Sequence, residues 1–162
     1  MQNLKIKFFL SLLAAVVLCL GLSFNASVPA QKVKAAVNHE AAMQQPLYME
    51  YKGVRLGMTA EEARAKLGTP ALKDSEQDYY VFSENETAQI VYDTSQRVST
   101  ISVDYLGGIG APDYKAVVGG ELEQRANGSW YRMVRYEGLR LWVSYNRSSG
   151  SLATVTLTIQ KF

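Results

Sequence analysis

Between Gly57 and Pro70 the apolar residues Ala60, Ala63 and Leu67 recur at helical spacing, with polar residues between them. Thr59 followed three residues later by Glu62 is a capping box, and Met58 stands where a staple residue reaches Ala63. Gly68 supplies a left-handed closing turn and Pro70 forbids continuation, so the pattern predicts one short helix with both ends marked. Period two follows. Tyr79 to Phe82 is short and aromatic. Ala88, Ile90 and Tyr92 alternate with Gln89 and Val91, and Ile101, Val103 and Tyr105 alternate with Ser102 and Asp104. β-branched and aromatic residues in that rhythm predict half-buried antiparallel strands, with turns over Ser83 to Glu86 and Asp93 to Gln96.

The plan then recurs. Gly110 to Gly119 predicts a second short helix, and Leu67-Gly68 lies 51 positions before Val118-Gly119. Trp130 to Tyr136 and Leu139 to Tyr145 flank Glu137-Gly138, which suits a two-residue hairpin. That turn sets Tyr136 against Leu139, Val134 against Leu141 and Trp130 against Tyr145, all facing inward. Arg132 falls among them, which requires either that it snorkels to an edge or that a bulge shifts the faces. Val155, Leu157 and Ile159 predict a last strand with Thr154, Thr156 and Thr158 on its other side. The expected fold is therefore α+β: two tandem helix-plus-antiparallel-sheet repeats, residues 47–107 and 108–162, with both helices on one face of a continuous sheet. A lead-in strand is expected over Leu47 to Lys52.

The first thirty residues read as an export signal. Lys5 and Lys7 precede an apolar stretch from Phe8 to Leu22, and Val28-Pro29-Ala30 offers small or short side chains for cleavage. The stretch is short against the about 20 residues of a membrane span, and retention as an uncleaved anchor is the alternative. Residues 31–46, rich in Ala, Gln and Lys without period, read as a flexible tether that contains the sole histidine, His39. Cys19, the sole cysteine, lies in the apolar stretch behind Leu18, where a lipid-attachment signal wants a small residue. A chain cut after Ala30 has no cysteine and folds without disulfides.

Glycine, Met58-Thr59, Glu62, Leu67-Gly68 and Pro70, followed by three strands, resemble the motif of the small envelope superfamily typified by beta-lactamase inhibitory protein. The same helix-then-strands module occurs in the SmpA/OmlA outer membrane assembly lipoproteins. The resemblance is best from Gly53 to Tyr105, and the tandem arrangement looks more like the inhibitor. It implies an exported binding module, periplasmic or envelope-located, whose exposed sheet face contacts another protein without a cofactor. Two features depart from the pattern: Cys19 sits poorly for lipidation, and the inhibitors' disulfides have no counterpart.

Charge adds little to this reading. Without Lys5 and Lys7 the chain carries 15 basic and 15 acidic residues, which disfavours binding of nucleic acid by bulk charge. Met58 to Gly107 is acidic by five and Ala111 to Phe162 basic by three. Catalysis finds no constellation: His and Cys are absent from the expected folded part, and Glu61, Glu62, Asp78, Asp93 and Asp104 are not forced together. Gly53 and Gly57 fit no phosphate-binding motif.

Under the two-residue hairpin, Tyr131, Met133, Arg135, Arg140 and Trp142 share the face away from the helices, with Met133 across from Trp142 and Arg135 across from Arg140. Adjacent arginines repel, and Trp, Tyr and Arg dominate interface energies, so this face is the candidate protein-binding surface. The competing expectation is that these side chains pack beneath neighbouring structure. A small-ligand or lipid carrier with a groove between helices and sheet is the alternative function, and a weak hydrolase on the acidic first half is a lesser one.

Overall fold

The computed structural model describes residues 45–162. The expected export segment, most of the tether, Cys19 and His39 lie outside the described residues. A lead-in segment runs into a small hairpin, β1 (Glu50–Tyr51) and β2 (Val54–Arg55), turning at Lys52-Gly53 where both residues take positive φ. Helix α1 (Ala60–Leu67) is followed by β3 (Leu72–Lys73), β4 (Gln77–Val81), β5 (Glu86–Tyr92) and β6 (Val98–Tyr105). Helix α2 (Tyr114–Val118) is followed by β7 (Glu123–Gln124), β8 (Trp130–Tyr136), β9 (Leu141–Arg147) and β10 (Val155–Lys161). The fold is α+β, with a dominant eight-stranded antiparallel sheet in the order β3-β4-β5-β6-β10-β9-β8-β7 and two short helices.

Period two decides which face is buried. Ala88, Ile90 and Tyr92 of β5, Ile101, Val103 and Tyr105 of β6, Leu141, Val143 and Tyr145 of β9, and Val155, Leu157 and Ile159 of β10 all point to one side. Ala60 and Ala63 of α1, Val117 and Val118 of α2, and Tyr51 and Val54 of the small hairpin join the same core. Each fully buried Val, Leu or Ile contributes about 1.5–3 kcal/mol, so this inner layer carries most of the stabilisation. The outer face holds Thr100, Ser102, Thr156, Thr158, Gln89 and Gln160, which leave it open to solvent. The edge strands β3 and β7, two residues each, were not anticipated; neither has an apolar period, and short edges limit unwanted pairing.

The first helix starts as its residues dictate. The Thr59 hydroxyl accepts from the Glu62 N–H at 3.2 Å, and the Glu62 carboxylate accepts from the Thr59 N–H at 2.8 Å. The Thr59 N–H first, and then the Thr59 hydroxyl donating to the same carboxylate at 3.2 Å, hold the Glu62 carboxyl below its usual range. Its closing turn differs from expectation. Gly68 has φ 86 and ψ −155, an extended conformation essentially reserved for glycine, and not a left-handed helical one. Gly119 closes α2 in the left-handed region, and Asp113 caps its start by accepting from the Lys115 N–H at 2.8 Å.

Helix α1 fully buries only two alanines, and Leu67 adds a partly buried contact with the core. An ionic tie reinforces this modest apolar contact. Arg64 donates from Nε and Nη2 to the wholly buried Asp78 carboxylate of β4, at 2.7 and 3.1 Å. Tyr92 donates to the same carboxylate at 2.6 Å and Tyr80 at 3.4 Å, so every buried oxygen is satisfied. Hydrogen bonding to Asp78 raises the Arg64 pKa, while burial first and Asp78 second push Tyr92 up.

The β8–β9 connection is longer than two residues. Glu137–Leu139 form a 3-10 turn and Arg140 follows in the left-handed region at φ 50, ψ 46. A two-residue turn of the twisted hairpin type wants positive φ at both central residues, which Glu137 resists. The register moves by two: Tyr136 pairs with Leu141, Val134 with Val143, Arg132 with Tyr145 and Trp130 with Arg147. An even shift preserves the faces, so the inward set survives while the cross-strand partners change.

Candidate functional site

The five predicted residues fall into two groups. Tyr131, Met133 and Arg135 lie on the outer face of β8 and Trp142 on the outer face of β9, half-buried and clear of the helices. Arg135 stands opposite Trp142, not Arg140, and Met133 opposite Ser144, not Trp142. Arg140 leaves the strand for the exposed loop, so the expected like-charge pair does not form. Its carbonyl accepts the Phe162 N–H at 3.1 Å, which brings the last residue beside it.

Two residues absent from the prediction complete this patch. The Arg135 guanidinium lies 4.2 Å from the centre of the exposed Phe162 ring and Nε reaches Glu137 at 3.4 Å. The Arg125 guanidinium covers Tyr131 at 3.7 Å. Neither was legible, because Phe162 follows the last strand and Arg125 sits in a loop, where no period assigns a face. Both arginines are held over aromatic rings, which limits their freedom and leaves N–H groups for other acceptors.

Across the sheet the patch gives way to an uncharged polar row, Met133-Ser144-Thr158-Ser102-Gln89-Tyr79. Ser102 and Thr158 hydroxyls meet at 3.4 Å over the central β6–β10 seam, and Thr156 donates to Asp104 at 2.6 Å. At the far side Leu72, Tyr79 and Val81 are exposed. The outer face thus has apolar and aromatic margins around a hydroxyl and amide centre.

Arg132, the awkward inward residue, neither snorkels outward nor marks a bulge. It donates to the Val118 and Glu121 carbonyls, both at 3.3 Å, and so satisfies the end of α2. A Cβ at Gly120 would sit 2.9 Å from the Arg132 guanidinium carbon, so the glycine makes room for this cap.

The carboxylates named for a hydrolase do not converge. Asp78 is consumed by Arg64 and the tyrosines, and Glu62 by the cap. Asp93 accepts from the Ser95 and Arg97 N–H groups in its turn, and Asp104 bonds Thr156. Among the described residues no three His, Cys, Asp or Glu side chains cluster as a metal site would need, and no helix is long and apolar enough to cross a membrane. No family model, curated protein or solved structure matches this chain.

Proposed function

We propose that the chain is an exported, non-enzymatic module that binds another envelope or secreted protein through the outer face of β8 and β9, inhibitor-like or assembly-factor-like. The observation that carries this reading is Trp142, half-buried on a sheet face that the two described helices leave open, directly across from Arg135, whose guanidinium lies over Phe162. Large aromatics with arginines at the centre of a patch are the residues whose loss costs interfaces most, about 2 kcal/mol or more each. Trp142→Ala and Arg140→Glu should leave the thermal melt nearly unchanged and weaken capture of the partner from envelope extract by about thirtyfold. A large fall in the melting temperature of Trp142→Ala would assign that side chain a structural role and remove the proposal.

We also propose that residues 47–107 and 108–162 are copies of one module. In support, each helix precedes a four-stranded meander that begins with a two-residue edge strand, and the final strands β6 and β10 meet antiparallel at the middle. That arrangement accords with the resemblance to the tandem inhibitor. The carrier alternative draws no support from the inner layer, where Tyr51 and Val54 are buried in the core and Tyr48 and Leu56 pack against it.

A further inference from the structure

At the end of the sheet where β8 begins and β9 finishes, the inner face runs out beyond the cover of α2. Trp130 and Arg147 are partners across the two strands there, and both are exposed, Trp130 to 41%. Tyr145, two residues before Arg147 on the same face, packs edge-on against Tyr114 with ring centres 6.1 Å apart. Two open grooves of about 180 and 310 Å³ flank these residues, and Tyr114, Tyr145 and Arg147 line both. Arg147 therefore stands at their junction with aromatic walls on either side.

The charges at this junction are unequal in availability. Glu121 on the rim already takes Lys115 at 2.7 Å and the Tyr114 hydroxyl at 2.8 Å, and these bonds hold its carboxyl below the usual range. Asp113, also on the rim, is engaged as the cap of α2. Arg147 belongs to none of the ion pairs formed among the described residues. A guanidinium presents a planar fork that matches a carboxylate with two parallel bonds, and Trp130 and Tyr114 offer flat apolar surface beside it.

We propose that this groove binds a carboxylate carried next to an aromatic or large apolar group, with Arg147 clasping the carboxylate and Trp130 and Tyr114 enclosing the apolar part. The same chemistry is found at the end of a peptide terminating in an aromatic residue and in a free aromatic acid. The site lies on the opposite side of the sheet from the outer patch, so its fate is independent of the protein-binding reading.

The test uses Trp130 as its own reporter. Of the chain's two tryptophans, Trp142 is replaced in a Trp142→Phe background, leaving Trp130 as the sole indole. N-acetyl-phenylalanine should change its fluorescence saturably, and N-acetyl-phenylalanine amide, which lacks the carboxylate, should bind at least about tenfold more weakly. Arg147→Gln should remove the difference between acid and amide. A short peptide ending in phenylalanine identifies the source: tighter binding than the amino acid assigns the groove to peptide ends, and equal binding assigns it to small acids. Equal responses to acid and amide in the parent chain, or an undiminished preference for the acid in Arg147→Gln, would overturn the proposal. The acid-against-amide comparison needs no Arg147 variant, so it decides the matter even if that substitution disturbs folding.

Discussion

Asp78 shows how much a single buried side chain governs here. It lies beneath α1 with no exposed surface and ties that helix down through Arg64, adding to the burial of Ala60 and Ala63 and the partial burial of Leu67. Removing one member of a buried pair leaves the other charged and unsolvated, at a cost of about 3 kcal/mol or more. Arg64→Ala should lower the unfolding free energy in urea by about that amount. The double replacement Arg64→Met with Asp78→Leu should recover most of it, since an apolar pair of similar volume removes the unpaired charge. If Arg64→Ala alone is nearly neutral, α1 is held by some other means.

Arg140 is a local strain of the opposite kind. A non-glycine residue in the left-handed region is disfavoured by about 1–2 kcal/mol, whereas glycine loses about 0.5–1 kcal/mol of chain entropy on being ordered. Arg140→Gly should therefore raise stability by about 0.5 kcal/mol. In a two-residue hairpin Arg140 would sit in a strand, and the same substitution would lower stability. Chemical denaturation of this one variant thus reports the loop type by its sign.

At the scale of elements, each helix is too short to persist alone and is fixed by what reaches it from the sheet. Helix α1 is held from below by Asp78, and α2 is closed by Arg132 rising from β8 to the carbonyl of its last residue, Val118, and to that of Glu121 just beyond. Isolated helices under about 12 residues are marginal in water, so both depend on these tertiary ties. The lead-in residues act likewise. Pro46 is buried and Leu47 approaches Gly119 at the end of α2, so the expected tether is already docked at its final residue.

At the scale of the molecule, the described residues form a sheet covered on one face, and that covered layer is rich in tyrosine. Burial first, reinforced by neighbouring carboxylates and phenols, raises the pKa of Tyr48, Tyr51, Tyr92 and Tyr105, and pushes Tyr80 up to about 12. A phenol whose folded pKa lies above its unfolded value contributes stability that is complete below about pH 10 and is lost as pH rises through the folded value. The melting temperature should therefore fall steeply above pH 10. Phenolate absorbance should show these five titrating only as the chain unfolds. Simultaneous, smooth titration of all tyrosines without unfolding would mean that the inner layer is wet.

The amino-acid pattern by itself determined the presence of two helices, the start of the first, the faces of the long strands and the even-odd division that leaves Trp142 and Arg135 outside, because caps and periods act within a few residues. It did not determine the hairpin partners, since a shift by two residues keeps every apolar side chain inward and only the loop geometry at Arg140 selects one register. Tertiary structure alone decided that Asp78 is sealed under Arg64, that Arg132 serves the end of α2, that β6 meets β10, and that Arg147 ends between Trp130 and Tyr114. Those outcomes join residues far apart in the chain, and no local period records which distant partner will complete a charge, a carbonyl or a groove.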